Sequence, residues 1–574
     1  MNYASLPQTA AQLALPAWRS RLLFVLLLLG MLGLFARAVY LQGIHNDFLQ
    51  QKGDARYARV IEVPAHRGMI TDRNGEPLAI STPVESVWAS PADVELSMRQ
   101  LINLAGILGM TPEALKAKLD PRREFVYLKR QLPPDQARRV AALGIPGISL
   151  QREYRRYYPA GEVTSHLLGF TDVDDNGREG IELALQDRLG GKPGSQRVIK
   201  DRRGHIIEDV ASLRAPKEGG DVALSIDSKL QFIAFREIKQ AVIDHKAKSG
   251  SVVVLDAKSG EVLALANWPA FNPNNRGGAT LAAMRNRAVT DLFEPGSTMK
   301  AFAAAAALEA GKFRPETRID TGDGKLTING RTIHDTHPDG VMTVAQVIQK
   351  SSNVGAAKMA LSLPPQVFWG HLRNTGFGTP TGSGFPGEAA GRLRDFKTWR
   401  PIEQATMSYG NGISVNLLQM ARAYTVFAND GELKPVSLLR QDTQPTGEMV
   451  YSARTARAVR DMLEMVVQPG GTAPLAQIRG YRVAGKTGTA HKLQNGRYVD
   501  EYVASFVGMA PASDPRLIVA VMVDEPGGSQ YYGGLVAAPV FNNVMSTSLR
   551  ALDVPYDAPL NNVLQAAPLV EEET

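Results

Sequence analysis

Glu294-Pro295-Gly296-Ser297-Thr298-Met299-Lys300 runs directly into the alanine-rich stretch Ala301 to Ala310, which Gly311 closes. Pro295 and Gly296 stop whatever precedes them, and a run of alanines is a strong helix former. The pattern predicts a helix over Ala301 to Ala310, with Ser297 at its first turn and Gly311 as its stop. Three residues are just under one α-helical turn, so Lys300 projects from the same face as Ser297 and can bring its amine to the hydroxyl. A serine is a poor nucleophile until a base takes its proton. A lysine serves as that base only if its ammonium is discharged, which burial or a neighbouring cation promotes. Ser297 is the only serine in the chain with a lysine three residues on. A pattern this short is also compatible with a plain helix N-terminus carrying a solvated lysine, so its company decides.

Two further triplets keep that company. Ser351-Ser352-Asn353 lies 54 residues after Ser297, in a turn leading to a helix expected over Val354 to Leu361. Lys486-Thr487-Gly488-Thr489 lies 189 residues after it, at the end of a strand-like run from Tyr481 to Gly485. Each is weak singly, and the chain supplies decoys: Lys248-Ser249-Gly250, Lys258-Ser259-Gly260 and Ser414-Val415-Asn416 fit the same short patterns. Order and spacing separate the two sets.

The surrounding texture is that of an α+β protein. Val222 to Ile226 reads as a strand and Ser228 to Ala247 as an amphipathic helix. Ser251 to Leu255 and Val262 to Ala266 form a hairpin about Lys258-Ser259-Gly260. Tyr502 to Val507 and Leu517 to Val523 supply late strands, which together imply an antiparallel sheet flanked by helices. Earlier, from Gln42 to Gly220, the chain is charge-rich, with alternating stretches such as Arg59 to Val63, helical patterns at Ser97 to Leu108 and Pro112 to Leu119, and recurrent turn signals. That is a mixed α+β spacer without a catalytic constellation of its own.

At the N-terminus, Leu22 to Phe35 is apolar throughout, and the run resumes after Arg37 to give about 20 residues, near the 30 Å needed to span a bilayer. Arg37 can snorkel to the interface beside Tyr40. An uncleaved anchor is the stronger reading, with a cleaved signal peptide ending at Ala36-Arg37-Ala38 as its rival. Arg19 and Arg21 before the span suit a cytoplasmic N-terminus.

The chain has 574 residues, enough for two or three domains, and a net charge of +7 without any concentrated basic tract that would argue for nucleic acid. It has no cysteine. Disulfides, thiolate zinc sites and cysteine nucleophiles are thereby excluded, and the composition suits an oxidising compartment. His334, Asp335 and His337 fall in one short loop with no further obvious ligand, so a structural or cleft role is favoured over a metal site.

Taken together, the Ser297, Ser351 and Lys486 sets resemble the signature of the penicillin-recognising serine acyl transferases, the penicillin-binding proteins and serine β-lactamases. Arg67 to Gly75, Gly180-Ile181-Glu182 and Asp201-Arg202-Arg203-Gly204 look like the pedestal motifs of class B penicillin-binding proteins. Pro159-Ala160-Gly161-Glu162 and Phe170-Thr171-Asp172-Val173 look closest to the division-specific, FtsI-type peptidoglycan D,D-transpeptidase. The resemblance runs from the anchor to about Leu552. It implies a penicillin-binding-protein fold divided as follows: 1–20 cytoplasmic tail, 21–42 transmembrane anchor, 43–220 elongated N-terminal pedestal, 221–557 transpeptidase domain, 558–574 disordered tail.

The same resemblance implies the chemistry. Ser297 attacks the carbonyl of the penultimate D-Ala of a stem peptide with Lys300 as base. Ser351 relays a proton to the leaving D-Ala, and Asn353 holds Lys300 and the substrate amide. Lys486, Thr487 and Thr489 bind the terminal carboxylate, while Gly488 leaves room for an extended peptide. Backbone N–H groups of Ser297 and Thr489 form the oxyanion hole, and Lys486 is a candidate for the cation that discharges Lys300. β-Lactams are the expected covalent inhibitors, no metal or cofactor is expected, and an FtsW-type glycosyltransferase and divisome proteins are the implied partners. The implied location is the inner membrane, single-pass, with the catalytic domain periplasmic.

Alternatives stay open at this point: an elongation-specific class B relative, a β-lactamase, or a β-lactam sensor. A class A β-lactamase would need a Glu-x-x-Leu-Asn segment after Ser351, which is missing, and a sensor would need several membrane spans. Tyr409-Gly410-Asn411 is similar to a class D β-lactamase motif, although Gly412 favours a structural turn. Tyr498, Tyr502 and Phe506 are candidates for a cleft wall or for core.

Overall fold

The computed structural model describes residues 17–44, 58–200, 206–494, 496–528 and 530–563. Asp201-Arg202-Arg203-Gly204, most of the expected cytoplasmic tail and residues 564–574 lie outside the described residues. Helix α1 (Ala17–Val39) has 23 residues, about 35 Å at 1.5 Å each, and none of them is buried. Among the described residues it is the one helix long and apolar enough to cross a membrane. The Arg37 guanidinium lies 5.6 Å from the Tyr40 ring.

Compactness divides the chain into two units that interleave in sequence. One comprises Met1–Pro64, Val84–Glu153 and Pro193–Lys217. Its helix Met98–Leu108 opens on a capping box between Ser97 and Gln100 and stops at Gly109 in the left-handed region. Leu104, Ala105 and Leu108 from that helix join Leu115, Leu128 and Val140 in a small apolar core. Strands Ala58–Val63, Gly194–Lys200 and Ile206–Arg214 form a three-stranded antiparallel sheet.

The other unit comprises Ala65–Pro83, Tyr154–Lys192 and Glu218–Thr574, so parts of the expected pedestal pack with the expected catalytic domain. Its organising sheet is five-stranded and antiparallel. Helix α2 (Ser228–Asp244), capped by the Asp227 carboxylate, leads into β1 (Ser249–Asp256) and β2 (Val262–Trp268). Helix α3 (Lys300–Glu309) and helix α4 (Asn353–Leu361) follow, then β3 (Ala484–Gln494), β4 (Arg497–Ala510), β5 (Leu517–Asp524) and helix α5 (Gly533–Ala551). The strand order is β2-β1-β5-β4-β3, which leaves β3 at an edge. Every residue of β1 is buried, so the strand is covered on both faces, and its centre, Val252 to Leu255, is a continuous apolar run and not an alternating one. Helices α2 and α5 pack against each other and against the sheet. Lys300 to Ala307 of α3 are buried on all sides, which is why the helix is made of alanine: small side chains let neighbours close on every face.

Four local expectations change. Ser297 sits in a 3₁₀ turn, Gly296–Met299, ahead of the α-helix and not inside it. Strand β3 starts at Ala484 and continues to Gln494, so Lys486 is within a strand and not past its end; pairing with β4 outweighs the weak strand propensity of its Gly and Lys residues. The strand expected over Val222 to Ile226 reduces to Val222–Ala223. The tail is held as far as Asn562, whose side-chain amide donates to the carbonyls of Ile478 and Tyr481, so looseness does not begin at Ala558.

Two of the segments likened to pedestal motifs meet in a buried charge cluster. Glu182, fully buried, accepts from Arg67 Nε at 2.7 Å and from Arg156 Nε at 2.6 Å. Arg67 also donates to the Glu182 and Asp175 carbonyls and to Gln186 Oε1. Removing the shared carboxylate strands two buried cations, so Glu182→Ala is expected to cost about 3 to 5 kcal/mol in denaturant unfolding, and a loss below about 1 kcal/mol would contradict the reading. Beside it, burial raises the Asp175 carboxyl to about 6, against the pull of Arg67 and Arg156. A carboxyl raised in the folded state contributes stability below its unfolded pKa and loses it as pH rises through the folded value. Asp175→Asn is therefore expected to stabilise the protein by about 3 kcal/mol above pH 7 and by nearly nothing near pH 4, and equal effects at both would rule the account out.

Candidate active site

Ser297 reaches its position because the chain reverses sharply before α3. Gly296 takes φ +58, a left-handed conformation that favours glycine. Thr298 Oγ1 donates to the Pro295 carbonyl at 2.8 Å, and Tyr424 Oη donates to the Thr298 carbonyl at 3.0 Å. In a 3₁₀ turn residues three apart eclipse each other, which sets Lys300 directly over Ser297. Both side chains are buried, at 1% and 4% exposure for Lys300 and Ser297. Lys300 Nζ lies 2.9 Å from Ser297 Oγ and 3.0 Å from Ser351 Oγ, and it donates to the Ser351 carbonyl as well. One amine thus joins two of the three sets picked out in the sequence.

Ser351 holds a strained backbone, φ +63, for a residue with a side chain. What fixes it is Asp335, whose carboxylate accepts from Ser352 Oγ at 2.6 Å and from the Val354 N–H at 2.9 Å. Ser352 in turn caps α4 by accepting from the Gly355 N–H at 2.9 Å. The Asn353 amide donates to the His334 carbonyl at 3.2 Å, a partner other than the expected Lys300. The His334 to His337 loop is therefore the brace of the Ser351 turn, and the described residues hold no cluster of three or more His, Cys, Asp or Glu suited to a metal.

The third set arrives on the edge strand. Lys486 is fully buried, with Nζ 3.1 Å from Thr487 Oγ1, which meets Thr472 Oγ1 at 2.8 Å. Thr489 Oγ1 accepts the Gly533 N–H at 3.0 Å, tying the edge strand to the start of α5. At Gly488 a Cβ would stand 2.4 Å from Ser505 Oγ and 2.7 Å from the Pro295 carbonyl, so its bare backbone lets β3 close on the serine turn.

Sequence reasoning missed Asp335 as an organiser and missed Glu294. The Glu294 carboxylate accepts from the Gly412 N–H at 2.8 Å and from Tyr498 Oη at 2.9 Å. Burial holds its carboxyl above the usual range, and burial together with the Glu294 charge pushes the Tyr498 hydroxyl up to about 12. Gly410 packs so tightly on Gly296 that a Cβ would lie 2.2 Å from its carbonyl oxygen. The Tyr409 to Gly412 turn is accordingly a structural support of the serine turn. Of the three candidate wall residues, Tyr498 is half-exposed, Tyr502 stacks on Tyr531 at 4.1 Å, and Phe506 is core against Phe541. The decoys resolve as well: Ser249 and Gly250 lie inside β1, Ser259 and Gly260 in the β1–β2 turn, and Asn416 caps the helix Leu417–Ala423.

Comparison with known proteins agrees with this geometry. Residues 250–546 match the penicillin binding protein transpeptidase domain and residues 62–224 the penicillin-binding protein dimerisation domain. The chain is 45% identical to the probable peptidoglycan D,D-transpeptidase PbpC of Pseudomonas aeruginosa, over 94% of this chain and 96% of that protein. It is 42% identical to the peptidoglycan D,D-transpeptidase FtsI of Escherichia coli K12, over 94% and 93% respectively. The apo structure of the TP domain of Burkholderia pseudomallei penicillin-binding protein 3 superposes with a TM-score of 0.55 at 49% identity, covering 58% of this chain and 98% of that one. The chain belongs to the penicillin-binding protein transpeptidase family, on the class B branch of FtsI- and PenA-named peptidoglycan D,D-transpeptidases.

Proposed function

We propose that this protein crosslinks peptidoglycan stem peptides by serine acyl transfer during septal cell-wall synthesis, and that β-lactams inhibit it by acylating the same serine. The observation that carries the reading is the single lysine amine within hydrogen-bonding distance of both Ser297 and Ser351 hydroxyls. Lys300 takes the Ser297 proton as Oγ attacks the carbonyl carbon of the penultimate D-Ala. Backbone N–H groups of Ser297 and Thr489 hold the developing oxyanion. The C–N bond to the terminal D-Ala then breaks, its nitrogen takes a proton relayed through Ser351, and an ester to Ser297 remains. An amine of a neighbouring stem attacks that ester, and the proton it sheds returns to the serine oxygen.

Lys486, Thr487 and Thr489 anchor the terminal carboxylate, for which a fixed cation and hydroxyls are suited and an apolar wall is not. Asn353 orients the substrate amide, and Gly488 holds the edge strand close to the nucleophile. In this reading residues 1–20 are a cytoplasmic tail, 21–42 the inner-membrane anchor, 43–220 the pedestal, 221–557 the periplasmic transpeptidase and 558–574 a tail. An FtsW-type glycosyltransferase and divisome proteins are its partners. The named relatives favour this over a hydrolase or a sensor.

Incubating the protein with a labelled penicillin is expected to give a stable adduct that Ser297→Ala abolishes; rapid release of opened drug would instead mark a hydrolase. Because Asp335 fixes the Ser351 turn, Asp335→Asn is expected to slow acylation about tenfold to a hundredfold, the scale of one lost charge-assisted hydrogen bond, while the variant stays folded. An unchanged acylation rate would remove Asp335 from the machinery.

A further inference from the structure

Three extended segments meet beside the serine turn. Phe293 and Val415 exchange both backbone hydrogen bonds at 3.0 Å, and Arg392 and Ser414 exchange both at 2.7 and 3.1 Å. With the far end of β3, at His491 to Leu493, they enclose a cavity of about 440 Å³. Most of its charges are committed. Asp291 pairs with Arg285 at 2.6 Å and Arg287 at 2.9 Å, Asp524 with Lys492 at 2.8 Å, and Arg394 with Glu403 at 3.3 Å. Glu294 is held by Gly412 and Tyr498, and the His491 ring lies 4.5 Å from Tyr502 with Nδ1 at the Val499 carbonyl. Arg392 is the exception: it is exposed, and among the described residues its guanidinium has no ion-pair partner.

The direction of a donor peptide follows from where its end is held, and this step rests on the function proposed above. With the terminal carboxylate at Lys486 to Thr489, the rest of a peptide paired to the free edge of β3 runs antiparallel, towards Ala490, His491 and Lys492. A strand rises about 3.3 Å per residue, so Thr489 to Lys492 covers about 10 Å, the length of two to three donor residues. Alternate side chains of an added strand point to the same face, so two successive donor residues present their side chains to opposite sides. We propose that the cavity is a subsite for the donor stem, and that Arg392 binds a carboxylate carried by one of the two residues preceding the penultimate D-Ala.

The full-length protein in detergent tests this by competition. Fluorescent penicillin labels Ser297 in the presence of D-Ala-D-Ala peptides bearing either a carboxylate or a carboxamide on the residue one or two before the penultimate D-Ala. The carboxylate at one of those positions is expected to protect at about tenfold lower concentration than its carboxamide, and the position that does so identifies the residue read. Arg392→Gln is expected to erase that preference and Arg392→Lys to keep part of it. Equal potency of acid and amide, no protection by either, or a preference unchanged in Arg392→Gln overturns the proposal. Labelling without peptide reports on the acyl-transfer reading separately, so the two can fail independently.

Discussion

The arrangement depends on a lysine amine enclosed by protein and shared between two hydroxyls. Lys300 makes that contact from the first position of α3, with Ser297 below it in a 3₁₀ turn and Ser351 across the cleft on a strained turn. Enclosure by protein keeps the amine within hydrogen-bonding distance of both hydroxyls, a position that a solvated lysine on the helix surface does not hold.

Holding that amine in place is the work of backbone more than of side chains. β3 reaches the serine turn only because Gly488 is bare, and the Tyr409 to Gly412 turn reaches it only because Gly410 is bare. Both contacts press on Gly296 or Pro295, so the reversal before Ser297 is gripped from two sides. The carboxylates of Glu294 and Asp335 complete the grip, one tying the turn to β4 through Tyr498 and the other fixing Ser351. The two carboxylates touch neither reacting hydroxyl, and each acts by fixing the loop that carries one.

Much of this was legible in the sequence, and the physical reason is locality. Ser297 and Lys300 are one turn apart, the alanine run announces a buried helix, and the β1–β2 hairpin declares itself by Gly260 between two apolar runs. The strands of the sheet were readable as segments, but the order β2-β1-β5-β4-β3, which places Lys486 on an edge, is set by long-range pairing that no local pattern encodes. Glu294 and Asp335 escaped for a related reason: each is an ordinary acid until folding brings it a partner that its own local pattern does not announce, Tyr498 far along the chain for one and the Ser352 turn after the next helix for the other. The interleaving of Ala65–Pro83 and Tyr154–Lys192 with the catalytic unit was likewise invisible, although the residues that do it, Arg67 and Glu182, lie in segments that the sequence alone had singled out.

Whether Lys300 works as a base or only as a positive charge is the point on which the account stands. The acylation rate of Lys300→Arg, measured beside Lys300→Met, separates the two most directly, because arginine keeps the charge and the reach but does not give up its proton. The account predicts that the arginine variant falls as far as the methionine variant. An arginine variant that retained acylation within about tenfold of the unaltered protein, equivalent to about 1.4 kcal/mol of barrier, would contradict it.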